Sequence, residues 1–254
     1  MMAGTVFDAY VKCALDRRIN LERLINNLNA EDPVMEQQAL DVGHRLFLLY
    51  QDSGMLGALE EEGVAMVEIE KEVVLGNGVP IYGKPDAVMT DGRILDWKVN
   101  GVGSKYGASP KQGYIRRVQH NAKGFLSKEA HAKADQPLES LYRPWALQTT
   151  VYALLLGHKI GKPLRAGIEQ IAVRGNTVNF SSFRNSISPE FQREVEERYN
   201  EIWDTLQEDM IPLPYYSDYK CNMYGRVCEG AKFCDAYTQA AIMRTEGALW
   251  KSLL

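Results

Sequence analysis

The sequence predicts an α/β (α+β) fold, a β-hairpin core after a helical opening. Three observations carry that expectation: helical periodicity up to about residue 51, short strands joined by tight turns between residues 66 and 99, and a helix, a strand pair and a further helix after Pro144.

Residues 5–30 read as helix, with Leu15, Ile19, Leu21, Leu24 and Ile25 at spacings that share a face. Asp32-Pro33 interrupts that pattern. A second helix runs from about Met35 to Gln51, with Leu40, Leu46, Leu48 and Leu49 as core candidates, and Ser53-Gly54 stops it. From Met66 the texture changes. Val67, Ile69 and Val73-Val74-Leu75 alternate with charges, and Gly76-Asn77-Gly78 is a hairpin turn signal. Val79 to Met89 gives a second strand, Thr90-Asp91-Gly92 a second turn, and Arg93 to Val99 a third strand, together an antiparallel meander.

Residues 100–140 hold Gly101, Gly103, Gly107, Pro110 and Gly113, then basic residues at Lys111, Arg116, Arg117, Lys123, Lys128 and Lys133. A connection of that length is expected to be functional or mobile. Pro144 precedes an apolar helix from Trp145 to Leu156. Leu164–Val173 and Thr177–Phe180 form a strand pair turning at Gly175-Asn176. Pro189–Met210 is a charged amphipathic helix, and Tyr215–Asp235 a loop holding three cysteines. There is no internal repeat and no low-complexity segment.

With 254 residues, 45% of them hydrophobic and 24% charged, the chain is long and apolar enough for one large folded domain. The formal net charge of −4 excludes a globally basic nucleic-acid binder, although a local basic groove remains compatible with it. The N-terminal stretch lacks the apolar run of a signal peptide, and no segment approaches the roughly 18 apolar residues of a spanning helix. The expectation is a soluble cytoplasmic protein with no membrane partner. In that compartment four cysteines suit a metal or cluster site better than disulfides.

The chemistry concentrates in Tyr82-Gly83-Lys84-Pro85-Asp86 and Ile94-Leu95-Asp96-Trp97-Lys98. Asp96 and Lys98 are two apart on one strand and so project together, and the Asp91-Gly92 turn can bring Asp86 beside them. Two converging carboxylates suit Mg²⁺ or Mn²⁺, which prefer hard oxygen ligands. A lysine there can orient or help deprotonate an attacking water, or neutralise charge building on a phosphorane. An Asp–Lys ion pair on an exposed hairpin would look the same in sequence.

Gly-x-x-Asp, a turn, then Asp-x-Lys closing an apolar strand resembles the core of the PD-(D/E)XK nucleases. Gln148-Thr149-Thr150-Val151-Tyr152 resembles the Gln-x-x-x-Tyr helix of their RecB-like branch, and the four-residue spacing puts Gln148 and Tyr152 on one helix face. Gly43-His44 matches that branch's metal-binding histidine on an upstream helix. The resemblance implies a restriction-endonuclease-like core with a mixed central sheet flanked by helices, and a divalent metal held by His44, Asp86, Asp96 and the backbone carbonyl of Val99. It also implies catalytic roles for Asp86, Asp96, Lys98, Gln148 and Tyr152. Residues 30–185 would form the core, and 1–30 with 186–254 the helical and cluster-binding segments of one domain spanning 1–254.

Cys13 near the start, with Cys221, Cys228 and Cys234 in one late loop, resembles the iron–sulfur version of the branch, found in AddB-type and CRISPR-associated exonucleases. There a 4Fe–4S cluster staples the two ends of the chain around the core. The departure lies in the first gap of the late trio: six residues separate Cys221 from Cys228 where the family has two, whereas the five between Cys228 and Cys234 match. Structural Zn²⁺ is the alternative for four thiolates.

The function implied is a metal-dependent DNA exonuclease acting at single-stranded or duplex ends in recombination, repair or spacer acquisition. In length and in its isolated nuclease domain the chain also resembles phage- or prophage-encoded enzymes. A recombinase, an annealing protein or a helicase would be the natural partner. Lys105, Lys111, Tyr114, Arg116 and Arg117, with Tyr106 and Phe125 nearby, are the candidates for contacting phosphates and stacking on unpaired bases. Two other readings keep the fold: a non-catalytic DNA-end-binding or scaffolding subunit, and a structure-specific endonuclease.

Overall fold

The computed structural model describes residues 2–25, 33–75, 78–121 and 126–207. The chain divides into two compact units, Met1–Arg198 and Tyr199–Leu254, and the elements that carry the candidate site lie in the first. In chain order these elements are α1 (Met2–Leu15), α2 (Leu21–Ile25), α3 (Pro33–Asp52), α4 (Met55–Glu62), β1 (Val64–Val67), β2 (Lys71–Val74), β3 (Pro80–Gly83), β4 (Ala87–Met89), β5 (Ile94–Asn100), β6 (Arg116–Asn121), β7 (Leu126–His131), α5 (Leu138–Leu155), β8 (Leu164–Arg174), β9 (Thr177–Ile187) and α6 (Pro189–Gln207). The expected class is borne out: a seven-stranded mixed sheet, mostly antiparallel, flanked by helices.

The strand order is β1-β4-β5-β8-β9-β6-β7, and among the described residues β5 with β8 is the one parallel pair. Its register sets Asp96 opposite Ile168 and Lys98 opposite Gln170. The period of two along β5 sorts its side chains. Leu95 and Trp97, with Val99 behind them, join one apolar cluster with Phe7 and Val11 of α1, Leu46, Leu49 and Tyr50 of α3, and Met55, Leu56 and Leu59 of α4. Asp96 and Lys98 point the other way, toward α5. The apolar positions of α3, Ala39, Leu46, Leu49 and Tyr50, recur at helical spacing, and Pro33 opens the helix where a missing N–H costs nothing.

Three expectations need correcting. Val79–Met89 is not one strand: β3 pairs only with β2 in a separate two-stranded sheet, and β4 pairs with β1 and β5 in the main one. The break falls at Lys84-Pro85-Asp86, where Pro85 has no N–H to give a ladder, so Asp86 lies between strands and not within one. The stretch 100–140 is not one long connection, because β6 and β7 form a hairpin at the sheet's edge with β6 paired along β9. Finally, the helix before β8 begins at Leu138, bent at Tyr142 (φ −147°, ψ 83°) just ahead of Pro144.

No helix among the described residues is long and apolar enough to cross a membrane.

Candidate active site

Asp96 is 3% exposed near the start of β5, between buried Leu95 and Trp97. Its carboxylate is ion-paired with Lys98, whose Nζ donates to Gln148 Oε1 at 2.7 Å. The Gln148 amide nitrogen donates in turn to Tyr152 Oη at 2.6 Å and to Asp96 Oδ1 at 3.3 Å. One amide on α5 therefore ties together a strand carboxylate, the neighbouring ammonium and a phenol. α5 comes close because Gly83 has no side chain: a Cβ there would stand 2.5 Å from Leu155 Cδ1 and 3.3 Å from Tyr152 Cε1.

Asp86 joins the group from the β3–β4 break. Its Oδ2 accepts the Trp97 backbone N–H at 3.2 Å, and its carboxyl lies within hydrogen-bonding reach of Asp96. Burial first, and the Asp86 carboxylate second, push the Asp96 carboxyl up to about 7 against the pull of Lys98. Burial likewise raises the Tyr152 phenol. The expected quintet of Asp86, Asp96, Lys98, Gln148 and Tyr152 is thus brought together.

The other oxygen of Asp86 faces a second cluster that the sequence did not reveal. Lys12 Nζ on α1 lies 2.7 Å from Asp86 Oδ1, 2.6 Å from Asp8 Oδ2 and 2.5 Å from Glu68 Oε2. Lys84 is also paired with Glu68. Burial and then Asp86 drive the Asp8 carboxyl up to about 8, with Lys12 opposing, whereas hydrogen bonds from Lys12 and Lys84 overcome burial and lower Glu68. Burial disfavours charge on Lys12, yet the carboxylates of Asp86 and Asp8 outweigh it and hold the ammonium charged. Glu68 is the only non-glycine with positive φ (57°) among the described residues, a conformation costing about 1–2 kcal/mol. It is held by Glu68 N donating to Asp86 O at 2.9 Å. The sequence offered one signal for this cluster: Asp8 and Lys12 are four apart on a helix whose neighbouring positions Phe7, Ala9 and Val11 are apolar and buried.

The remaining candidates scatter. His44 is exposed on α3 and stacks on Tyr10 at 4.6 Å between ring centroids, in a groove with Leu21, Gln37 and Asp41. Among the described residues, the one group of three or more acidic, imidazole or thiol side chains with ligand atoms mutually within 4.8 Å is Asp8, Glu68 and Asp86, and His44 is not part of it. Val99 turns its side chain toward Gly4 of α1. Cys13 donates to the Ile19 carbonyl at 3.6 Å, and its thiol is raised by burial and then by Glu68. Cys221, Cys228, Cys234 and Phe125 lie outside the described residues.

The basic candidates divide by what they touch. Arg116 is engaged by Glu129 at 2.8 Å and by the Ser53 carbonyl at 3.1 Å. Arg117 lies 3.7 Å over the Tyr114 ring and donates to Ser181 Oγ. Lys111 lies 4.9 Å over the Tyr142 ring, and Lys105 beside exposed Tyr106. A polar path links this loop to the site: Lys111 N donates to Gln170 Oε1 at 2.8 Å, and Gln170 Nε2 to Asn100 Oδ1 at 3.1 Å, two residues beyond Lys98.

No protein-family model matches the chain, and no curated protein matches it.

Proposed function

We propose that the chain is a divalent-metal-dependent deoxyribonuclease with a restriction-endonuclease-like core of the PD-(D/E)XK kind, acting as an exonuclease at DNA ends. The observation that supports this best is the convergence of Asp86, Asp96 and Lys98 with Gln148 and Tyr152, which come from three separate stretches of chain. The donor set fits the ion. Two carboxyls of which one is 3% exposed, close enough to share a hydrogen bond, are a costly arrangement that a hard cation relieves. Asp86 and Asp96 would hold Mg²⁺ or Mn²⁺, which polarises a phosphate and acidifies a bound water. Lys98 stands beside them as an ammonium whose direction is fixed by Gln148, positioned to meet charge developing on a phosphate oxygen. Tyr152 braces the Gln148 amide from the next helical turn.

Lys105, Lys111, Tyr106, Tyr114 and Arg117 would hold the departing strand, with bases against the exposed Tyr106 ring and phosphates against the basic side chains. Assignment of Cys13, Cys221, Cys228 and Cys234 to a 4Fe–4S cluster, or to Zn²⁺, and a recombinase, annealing protein or helicase as partner, belong to the same proposal and rest on the resemblance.

Cleavage of end-labelled linear single-stranded DNA in Mn²⁺ or Mg²⁺ tests it, with wild type beside Asp96→Asn. Progressive loss from one end by wild type alone is the expected result. Cutting of a circular strand would make the enzyme an endonuclease. DNA binding without cleavage by either protein would replace the enzyme with a scaffolding subunit.

A further inference from the structure

Asp8, Glu68 and Asp86 each offer one carboxylate oxygen within 4.8 Å of the other two, a spacing suited to a hard cation. A cation of the chain's own already stands there. The Lys12 ammonium lies 2.5–2.7 Å from one oxygen of each, on a side chain that is 5% exposed. An ammonium carries three N–H donors, and three carboxyl groups face this one, so donors and acceptor groups are matched in number. Asp86 divides the space. Its Oδ1 takes Lys12, while its Oδ2 takes the Trp97 N–H on the side where Asp96 and Lys98 stand.

We infer that Lys12 is a tethered cation filling the second of two cation positions around Asp86, and that it thereby limits the site to a single divalent ion on the Asp96 side. A tethered ammonium holds Asp86 in place without depending on metal supply. It brings no coordinated water, so activation of a nucleophile is confined to the Asp96 side. Glu68 presents its carboxylate to Lys12 from a left-handed backbone, so the second position is built from three separate segments of chain: α1, the residue after β1, and the β3–β4 break. The inference rests on the proposed nuclease site only for the ion beside Asp96; the Lys12 position stands on its own geometry.

The test counts Mn²⁺ bound per chain, by equilibrium dialysis with paramagnetic resonance of the free ion. The proteins are full-length wild type, Lys12→Met and Lys12→Met/Glu68→Gln, each first stripped with chelator. Lys12→Met is expected to bind one ion more than wild type, and the double variant to return to the wild-type count. A purely structural lysine would lower the melting temperature of Lys12→Met without adding an ion, so equal counts in wild type and Lys12→Met overturn the inference. If Lys12→Met folds only in Mn²⁺, and Glu68→Gln abolishes that dependence, the inference is supported. Failure to fold in Mn²⁺ as well as without it overturns it. Wild type binding no ion while Lys12→Met binds one sustains Lys12 as the tethered cation and removes the metal from the Asp86–Asp96 side, so the two readings fail separately.

Discussion

Gln148 accepts a hydrogen bond from the Lys98 ammonium at 2.7 Å although 50 residues separate them along the chain. The same side-chain amide donates to Tyr152 and Asp96. A flexible lysine is thereby held in one direction, which matters because misplacement of a reacting group by about 1 Å can cost roughly 100-fold in rate.

Gln148→Ala is therefore expected to slow cleavage by roughly 100-fold, through loss of Lys98 orientation. Lys98→Ala is expected to abolish cleavage while DNA binding survives. Single-turnover rates and binding isotherms on the same oligonucleotide check both. Binding that disappears together with cleavage in Lys98→Ala would make Lys98 a phosphate clamp.

The parts of this site that were legible in sequence are those fixed by local geometry. Asp96 and Lys98 share a strand face because the period is two, and Gln148 and Tyr152 share a helix face because they are four apart. The second cluster was illegible because its members are recruited by sheet pairing. Glu68 reaches Lys12 only after β1 has docked on β4, and in sequence it is one charge in a run of alternating charges. The β6–β7 hairpin was hidden for a related reason. Arg116 and Arg117 read as a solvated basic connection, yet Val118 between β-paired neighbours is buried, and Arg116 is consumed by Glu129 and the Ser53 carbonyl. The strand break at Asp86 was written in Pro85, whose missing N–H a central strand does not accommodate.

Asp96 makes metal-free stability depend on pH. Its carboxyl is pushed up to about 7 in the folded chain, whereas an unfolded aspartate titrates near about 3.9. The folded state holds the proton more tightly, so the stability this group contributes is fully present below about pH 4 and lost as pH rises through about 7. Between those values it amounts to at most about 1.4 kcal/mol per pH unit. Urea unfolding in chelator at pH 5 and pH 8 is expected to show wild type less stable at the higher pH. Asp96→Asn should show a shallower fall, keeping the same-signed share of Asp8, which is raised to about 8. An unchanged slope in Asp96→Asn would show that Asp96 titrates as an ordinary aspartate.

The basic residues are expected to separate in salt titrations of single-stranded DNA binding. Lys105 and Lys111 are exposed and lie over tyrosine rings, and neither forms an ion pair among the described residues. Each lysine lost to alanine should reduce the slope of log K against log salt by about 0.7, the value for one phosphate contact on a single strand. Arg116→Ala should leave that slope alone and instead destabilise the fold by about 1 kcal/mol, since its guanidinium holds Glu129 and the α3–α4 turn. A reduced slope in Arg116→Ala, with full stability, would place Arg116 on the DNA.

Gly43 sets the distance between α1 and α3, and through it the position of Lys12. A Cβ there would stand 2.5 Å from Val6 Cβ and 2.8 Å from the Ala3 carbonyl oxygen, neither of them the loose end of a long side chain. Two effects oppose each other in Gly43→Ala. Helix propensity favours alanine by about 1 kcal/mol in the interior of a helix. Overpacking against a fully buried Val6 and a backbone oxygen costs about 1–3 kcal/mol, because α1 must move outward to relieve it. The rigid neighbours decide for the second effect, and Gly43→Ala is expected to lower stability on balance. The outward shift of α1 carries Asp8 and Lys12 away from Asp86, so the variant should also lose cleavage activity beyond what its folded fraction explains. Urea midpoints paired with rates measured at full folding check the two parts. A stabilised, fully active Gly43→Ala would mean that α1 adjusts freely and that its contact with α3 does not position the site.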